Sequence, residues 1–232
     1  MKHATIAALE KARSERRGVA FAKRLTDGAE FLLPVPGAPE SLNEAGLTAL
    51  RQDKTGTQII GGEPWFIEAR NPPPRLILVG AVHIAQALSP FAGMAGFEVI
   101  LVDPRRAFGN ADRFPGIELV NEWPDTALQR LRPDAGAAIV TLTHDPKLDD
   151  PALDHALRTE AFYIGALGSR KTHTARLERL QALGHEPAAL ARIHGPVGLD
   201  IAAVTAAEIA LSVIAEIVAI RRGGGILAAR RA

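Results

Sequence analysis

Four short segments of this chain place polar and charged side chains directly behind apolar runs, and these are the places where chemistry can occur. The first, Gly80-Ala81-Val82-His83-Ile84-Ala85, follows Arg75-Leu76-Ile77-Leu78-Val79. Gly80 and Ala85 match the outer positions of a Gly-x-Gly-x-x-Gly/Ala dinucleotide fingerprint. Val82 stands at the central position, where glycine lets the backbone approach a pyrophosphate. Backbone N–H groups at a helix start still suit an anion, and His83 can donate to a phosphate or other oxyanion. The alternative is a tight strand-to-helix turn with a solvent-facing histidine. The second segment is Asp103-Pro104-Arg105-Arg106. Asp103 lies 23 residues after Gly80, near the spacing of about 20 for an acid that holds a ribose hydroxyl. Arg105 can grip a phosphate with two parallel hydrogen bonds. The other reading is an Asx-Pro turn with solvated arginines. Arg113-Phe114-Pro115 continues this loop and is expected over the same crevice.

The third segment, Thr141-Leu142-Thr143-His144-Asp145, ends another apolar run. A polar triplet is costly to bury without partners, so Thr143, His144 and Asp145 are expected at a site. His144 and Asp145 can act as an acid–base pair or hydrogen-bond a ligand. Asp149 and Asp150 are expected at a helix N-terminus, where the dipole favours acids. In the fourth, Gly165-Ala166-Leu167-Gly168-Ser169-Arg170-Lys171-Thr172, glycines, a serine and two cations form an oxyanion nest. It is not a Walker A loop, because Arg170 stands where a second glycine must precede the lysine. Other chemistries find less support. The seven histidines are spread out, with no His-x-x-x-His pair. No Gly-x-Ser-x-Gly elbow occurs. Cysteine is absent, which excludes disulfides, thiolate metal sites and cysteine nucleophiles.

These segments need elements to position them. Arg75–Gly80, Glu98–Asp103, Ala137–Thr143 and Ala161–Gly165 read as strands buried on both faces. Helical spacing follows at 83–95, 150–158 and 170–183, with Gly184 at a C-terminal cap. Strands alternating with helices of this length predict a mostly parallel, doubly wound α/β sheet, in which ligands sit beyond the strands' carboxyl ends. The final helix opens on a capping box, Thr205-Ala206-Ala207-Glu208, and ends on Arg221, Arg222 and the run Gly223-Gly224-Gly225. Its apolar residues occupy nearly every side, so it is expected against the sheet and against a second copy in a homodimer. Asn71-Pro72-Pro73-Pro74 is a stiff connector. It divides a small α+β domain (1–71) from the α/β domain (72–232). In the small domain a helix is expected at about 4–16, strands near 19–25, 30–35 and 58–68, and a turn at Gly61-Gly62.

Composition narrows the class. At 232 residues with 47% apolar and 23% charged residues, the chain is an ordinary globular protein. A formal net charge of +1 is no footprint for nucleic-acid binding. Glu208 and Glu216 interrupt the most apolar stretch, which falls short of the ~20 residues of a membrane span. No apolar signal region opens the chain, so a cytoplasmic location is expected.

The loops, taken in order with Gly195-Pro196-Val197-Gly198-Leu199-Asp200 and Glu208-Ile209-Ala210-Leu211-Ser212, resemble the XdhC/CoxI family of molybdenum hydroxylase accessory proteins. The resemblance covers about 74–222. It implies a Rossmann-like C-terminal domain that binds molybdenum cofactor (molybdopterin) and is a maturation factor rather than an enzyme, with no catalytic residue assigned. It implies an apo molybdenum hydroxylase as recipient, such as xanthine or carbon monoxide dehydrogenase, and a cysteine desulfurase as a further partner. On that reading the phosphate sits on the N–H groups of Gly80, Ala81, Val82 and His83 or of Gly168, Ser169 and Arg170. Asp103 bonds the pterin or a ribose-like group, and Arg105, His144 and Arg170 balance charge. Many relatives carry Gly-x-Gly where Val82 stands, and longer ones have a fuller, cysteine-containing N-terminal domain. The rival readings are an NAD(P)-dependent oxidoreductase, which Asp103 supports and Val82 opposes, and a ligand-free module that docks on an acidic partner.

Overall fold

In a computed structural model of the chain, residues 3–224 are described; Gly225, the last of the glycines expected to end the final helix, lies outside them. The chain divides between Pro72 and Pro73 into two compact units. No helix among the described residues is long and apolar enough to cross a membrane.

The first unit is an antiparallel sheet of β1 (Val19–Arg24), β2 (Glu30–Leu33), β3 (Gly56–Ile60) and β4 (Glu63–Arg70) in the order β2-β1-β4-β3. Its helices are α1 (His3–Ser14) and α2 (Glu40–Gln52). The sequence reading lacks α2, because that helix buries Leu42, Gly46 and Ala49, a stripe of mostly small residues. A side chain on Gly46 would strike Leu33, so a residue that reads as a helix breaker is what lets α2 lie close to β2.

The second unit builds a six-stranded sheet from β5 (Arg75–Val79), β6 (Glu98–Val102), β7 (Glu118–Val120), β8 (Ala137–Thr141), β9 (Tyr163–Ala166) and β10 (Ile193–His194). All pairings are parallel and the order is β10-β9-β8-β5-β6-β7. After β5 the chain runs outward to β7 and then returns to β8 on the other side of β5. The switch point therefore lies between β5 and β8. Every residue of β5 and β8 is buried, as the continuous apolar runs predict. The one charge among them, Arg75, donates to the carbonyls of Leu131 and Arg132, satisfying the end of α4 (Pro124–Leu131).

Helices cover both faces. Residues of α3 (His83–Met94) and α8 (Ala206–Arg222) share one core cluster with Leu76, Leu78 and Leu101. Residues of α4, α5 (Pro146–Leu157), α6 (Arg170–Ala182) and α7 (Pro187–Leu190) share the other with Ile77, Ile100 and Ile139. The expected capping box is present: Thr205 Oγ1 accepts from Glu208 N, and Glu208 Oε2 accepts from Thr205 N. Thr205→Ala removes one of these bonds, with an expected loss of about 1 kcal/mol in urea denaturation. The helix is less uniformly buried than its composition suggests. It covers Ala210, Val213, Ile214 and Ile217 and leaves Leu211 and Val218 exposed.

Candidate functional site

All four chemistry-bearing segments lie at the carboxyl ends of parallel strands, and the turns bring three of them together. Gly80 (φ +112°) ends β5. A Cβ there would collide with Thr143 Cγ2, so the missing side chain lets the β5–α3 and β8–α5 loops touch. Gly168 (φ +143°) takes a backbone conformation that favours glycine, and a Cβ there would press on Thr172 at 3.2 Å. The same Cβ would lie 3.6 Å from the His144 ring. Gly80, Thr143, His144 and Gly168 thus form one contact chain along the sheet edge.

Val82 is the N-cap of α3 in extended backbone (φ −97°, ψ 173°) and makes no side-chain cap bond. The position does not require glycine's conformations, and the valine packs against the core on its own face of the sheet. Without a side-chain cap, the first N–H groups of α3 remain for solvent or an anion. His83, the first residue of α3, is exposed.

The structure engages Asp103 within its own loop. Its carboxylate is buried and already satisfied within the chain. Oδ2 accepts from Ala81 N (2.8 Å) and Arg105 Nη2 (2.8 Å), and Oδ1 from Arg105 N and Nε (both 2.9 Å). Burial pushes this carboxyl up, but the Arg105 guanidinium and the two backbone N–H groups together outweigh it and hold the group below the usual aspartate range. Arg105 is correspondingly not a free phosphate ligand; its guanidinium lies over the Phe108 ring at 4.7 Å. Arg113 does reach the crevice loop, donating to the carbonyl of Ala81 (3.0 Å).

Of the expected His144–Asp145 pair, Asp145 is taken up by a helix cap. Asp145 caps α5, its Oδ1 accepting from Lys147 N (2.9 Å). This cap begins the helix at Pro146, earlier than the sequence pattern suggests, and places Asp149 in its first turn. There Asp149 does more than serve the helix dipole. Its carboxylate accepts from Thr143 Oγ1 (2.7 Å) and His144 N (3.0 Å), and lies 3.6 Å from Arg176 Nη2. Arg176, equally buried, donates to Leu167 O (2.9 Å). Burial pushes Asp149 up and Arg176 down from their usual values. This pair ties the β8–α5 loop to the β9–α6 loop from beneath.

Ser169 caps α6, accepting from Thr172 N (3.1 Å). Arg170 opens that helix, exposed and with no ion pair or hydrogen bond to its guanidinium among the described residues. Gly165 lies within β9, beside Val197 and Tyr163, where a Cβ would come within 2.7 Å of Val197 Cγ2. It packs the strand rather than lining the nest. No group of three or more potential ligands among the described residues is placed to hold a metal.

Sequence reasoning overlooked a second buried network. Glu216 Oε2 accepts from Tyr163 Oη and Gly198 N, both at 2.7 Å, and Oε1 lies 3.6 Å from His194 Nδ1. Its signal was present: Glu216 is an acid inside the apolar run of the last helix. Beside it, beyond β9 and β10, opens a cavity of about 680 Å³ lined by Gly168, Arg170, His194, Val197, Asp200 and Glu216 among others.

A parallel sheet in this strand order, with its glycine turn at the switch point, defines a dinucleotide-fold domain. Residues 76–217 match the XdhC Rossmann domain, and the chain belongs to the XdhC family. It is 33% identical over 181 residues to the uncharacterized protein YqeB of Escherichia coli, covering 75% of this chain and 33% of that one. It is 32% identical over 170 residues to the E. coli molybdenum cofactor insertion chaperone PaoD, covering 73% and 46%. The chain spans about a third to a half of the length of these curated relatives. The crystal structure of a xanthine dehydrogenase from Bacillus halodurans superposes with a TM-score of 0.71 at 24% identity, covering 95% of this chain and 64% of that one, and shows the same fold.

Proposed function

We propose that this chain is a maturation factor that binds molybdenum cofactor and delivers it to an apo molybdenum hydroxylase, or holds it during sulfuration. The kinship with PaoD supports the cofactor. A 35% identical Bacillus subtilis relative, covering 68% of this chain and 46% of that one, carries the name of a probable xanthine dehydrogenase component and supports the client class. When bound, molybdopterin supplies a dithiolene-held metal to the hydroxylase. This chain's part is to hold its pterin and phosphate.

The observation that carries the choice against NAD(P) is the saturated carboxylate of Asp103. A ribose would have to displace Arg105 to reach it, at the cost of a bidentate charged pair. By contrast, the residues near α6 fit a phosphate. The Arg170 guanidinium has no partner among the described residues, Gly168 leaves the approach open, and His144 stands beside it. The N–H groups at the starts of α3 and α6 add partial positive charge. Asp103 and Arg105 then shape the Ala81 turn instead of meeting ligand. With no thiol in the chain, sulfur transfer falls to a cysteine desulfurase partner. We place the protein in the cytoplasm, as a homodimer through the exposed side of α8.

The deciding experiment incubates the protein with free molybdopterin, desalts it, oxidises it and reads pterin fluorescence, with NADH as competitor. Stoichiometric pterin that NADH does not displace is the expected result. NADH binding without pterin retention overturns the reading in favour of an oxidoreductase. Arg170→Ala is expected to weaken retention by about 1.5–3 kcal/mol, the scale of a charged hydrogen bond. Unchanged retention in that variant removes Arg170 from the site.

A further inference from the structure

The two halves of the sheet edge differ in what they leave free. Over β5 and β6, Asp103, Arg105 and Arg113 are all engaged within the chain. Beyond β9 and β10 lies the cavity of about 680 Å³, within the size range of small-ligand sites. Two charged side chains on its lining, Arg170 and Asp200, have no hydrogen-bonding or ionic partner among the described residues. The rest of the lining mixes apolar side chains, including Leu167, Val197, Leu199 and Ile209, with polar groups such as Ser212 and Glu216. His194 adds a flat surface. It stacks on Tyr163 at 4.8 Å and 17°, and Glu216 stands at its Nδ1.

We propose that this cavity, rather than the crevice over β5 and β6, receives the ring of the ligand: a planar 2-amino-4-oxopyrimidine heterocycle carrying a phosphate. That chemistry is shared by a pterin phosphate and a guanine mononucleotide. Asp200, an acceptor only, takes the amino edge of the ring. Arg170 pairs with the phosphate through its guanidinium fork. The apolar lining and His194 sandwich the ring. The site is of mononucleotide size. From β5 to β10 is three strand steps, roughly 14 Å, so a ligand seated here need not reach the closed half of the edge. The inference rests on the cofactor reading above, since it names where and how that ligand is held.

The test measures binding of molybdopterin, GMP and NADH to the wild type, to Asp200→Asn and to Ile209→Trp, which fills the cavity. Urea midpoints check that each variant folds. Asp200 is exposed, so its variant keeps the test alive if Ile209→Trp does not fold. The expected result is molybdopterin retention by the wild type, weakened about ten- to a hundredfold in Asp200→Asn and lost in Ile209→Trp. Wild-type retention that both folded variants keep overturns the cavity assignment and leaves the maturation reading standing. If the wild type binds GMP but not molybdopterin, and Asp200→Asn weakens GMP, the cavity assignment stands and the maturation reading fails. Binding of neither overturns both.

Discussion

Replacing Asp149 by alanine is expected to destabilise the α/β unit by about 3–5 kcal/mol, the range for removing one partner of a buried ion pair. Two losses combine. Thr143 Oγ1 and His144 N lose their acceptor. Arg176, 1% exposed, is left buried with Leu167 O as its hydrogen-bond acceptor among the described residues. Asp149→Asn, which keeps the shape and one acceptor oxygen, is expected to cost less. Adding Arg176→Met to Asp149→Ala is expected to restore part of the loss, because the uncompensated charge leaves with it. Urea denaturation of the two single variants and the double variant measures this. If the two single losses simply add, the side chains are not coupled. The same variants report on the site, since the pair holds the loops carrying His144 and Gly168. A drop in pterin retention in folded Asp149→Asn is the expected companion result.

The second large effect belongs to Glu216. Burial pushes its carboxyl up, but the His194 ring at 3.6 Å and the hydrogen bonds from Tyr163 Oη and Gly198 N outweigh it and hold the group below the ordinary glutamate range. The fold therefore favours the ionised form more than the unfolded chain does. Its contribution is fully present above the ordinary glutamate range and is lost as the pH falls through the depressed value. Glu216→Gln is expected to cost about 2–3 kcal/mol near neutral pH, because the charge to which Tyr163 Oη and Gly198 N donate is removed. The gap between wild type and variant narrows as the pH falls below the ordinary range. A gap that stays constant from neutral pH down to strongly acidic pH would show that the charge contributes nothing. The loop from Gly195 to Asp200 hangs on this carboxylate through Gly198, so the variant is also expected to loosen the cavity lining.

The strands at the centre of the α/β sheet were legible because β5, β6 and β8 are continuous apolar runs, and only a sheet covered on both faces needs such runs. The edge strands were not. Glu118-Leu119-Val120 and Ile193-His194 are too short to carry a period, α7 is one turn of four residues, and α4 is eight residues long. The placement of the chemistry-bearing loops was legible for a related reason. Once the strands are placed, Gly80, Asp103, Thr143 and Gly168 must fall at their carboxyl ends. What each residue touches there was not. The grip of Arg105 on Asp103 depends on how one loop curls back. The Asp149–Arg176 and Glu216–Tyr163 contacts join helices and strands far apart in the chain; an acid inside an apolar run marks Glu216 as needing partners, but no local pattern names them. The capping box at Thr205 was readable because both of its bonds are local.

The brevity of β7 and β10 has a further result. They are the two outer strands of the six, three and two residues long, so the sheet ends without a long row of unpaired backbone groups on either side. Such rows are what allow sheets to extend from one molecule into the next and to seed aggregates. The α/β unit is thus guarded at both margins by having almost no margin to offer, even though its central strands are among the stickiest segments of the chain.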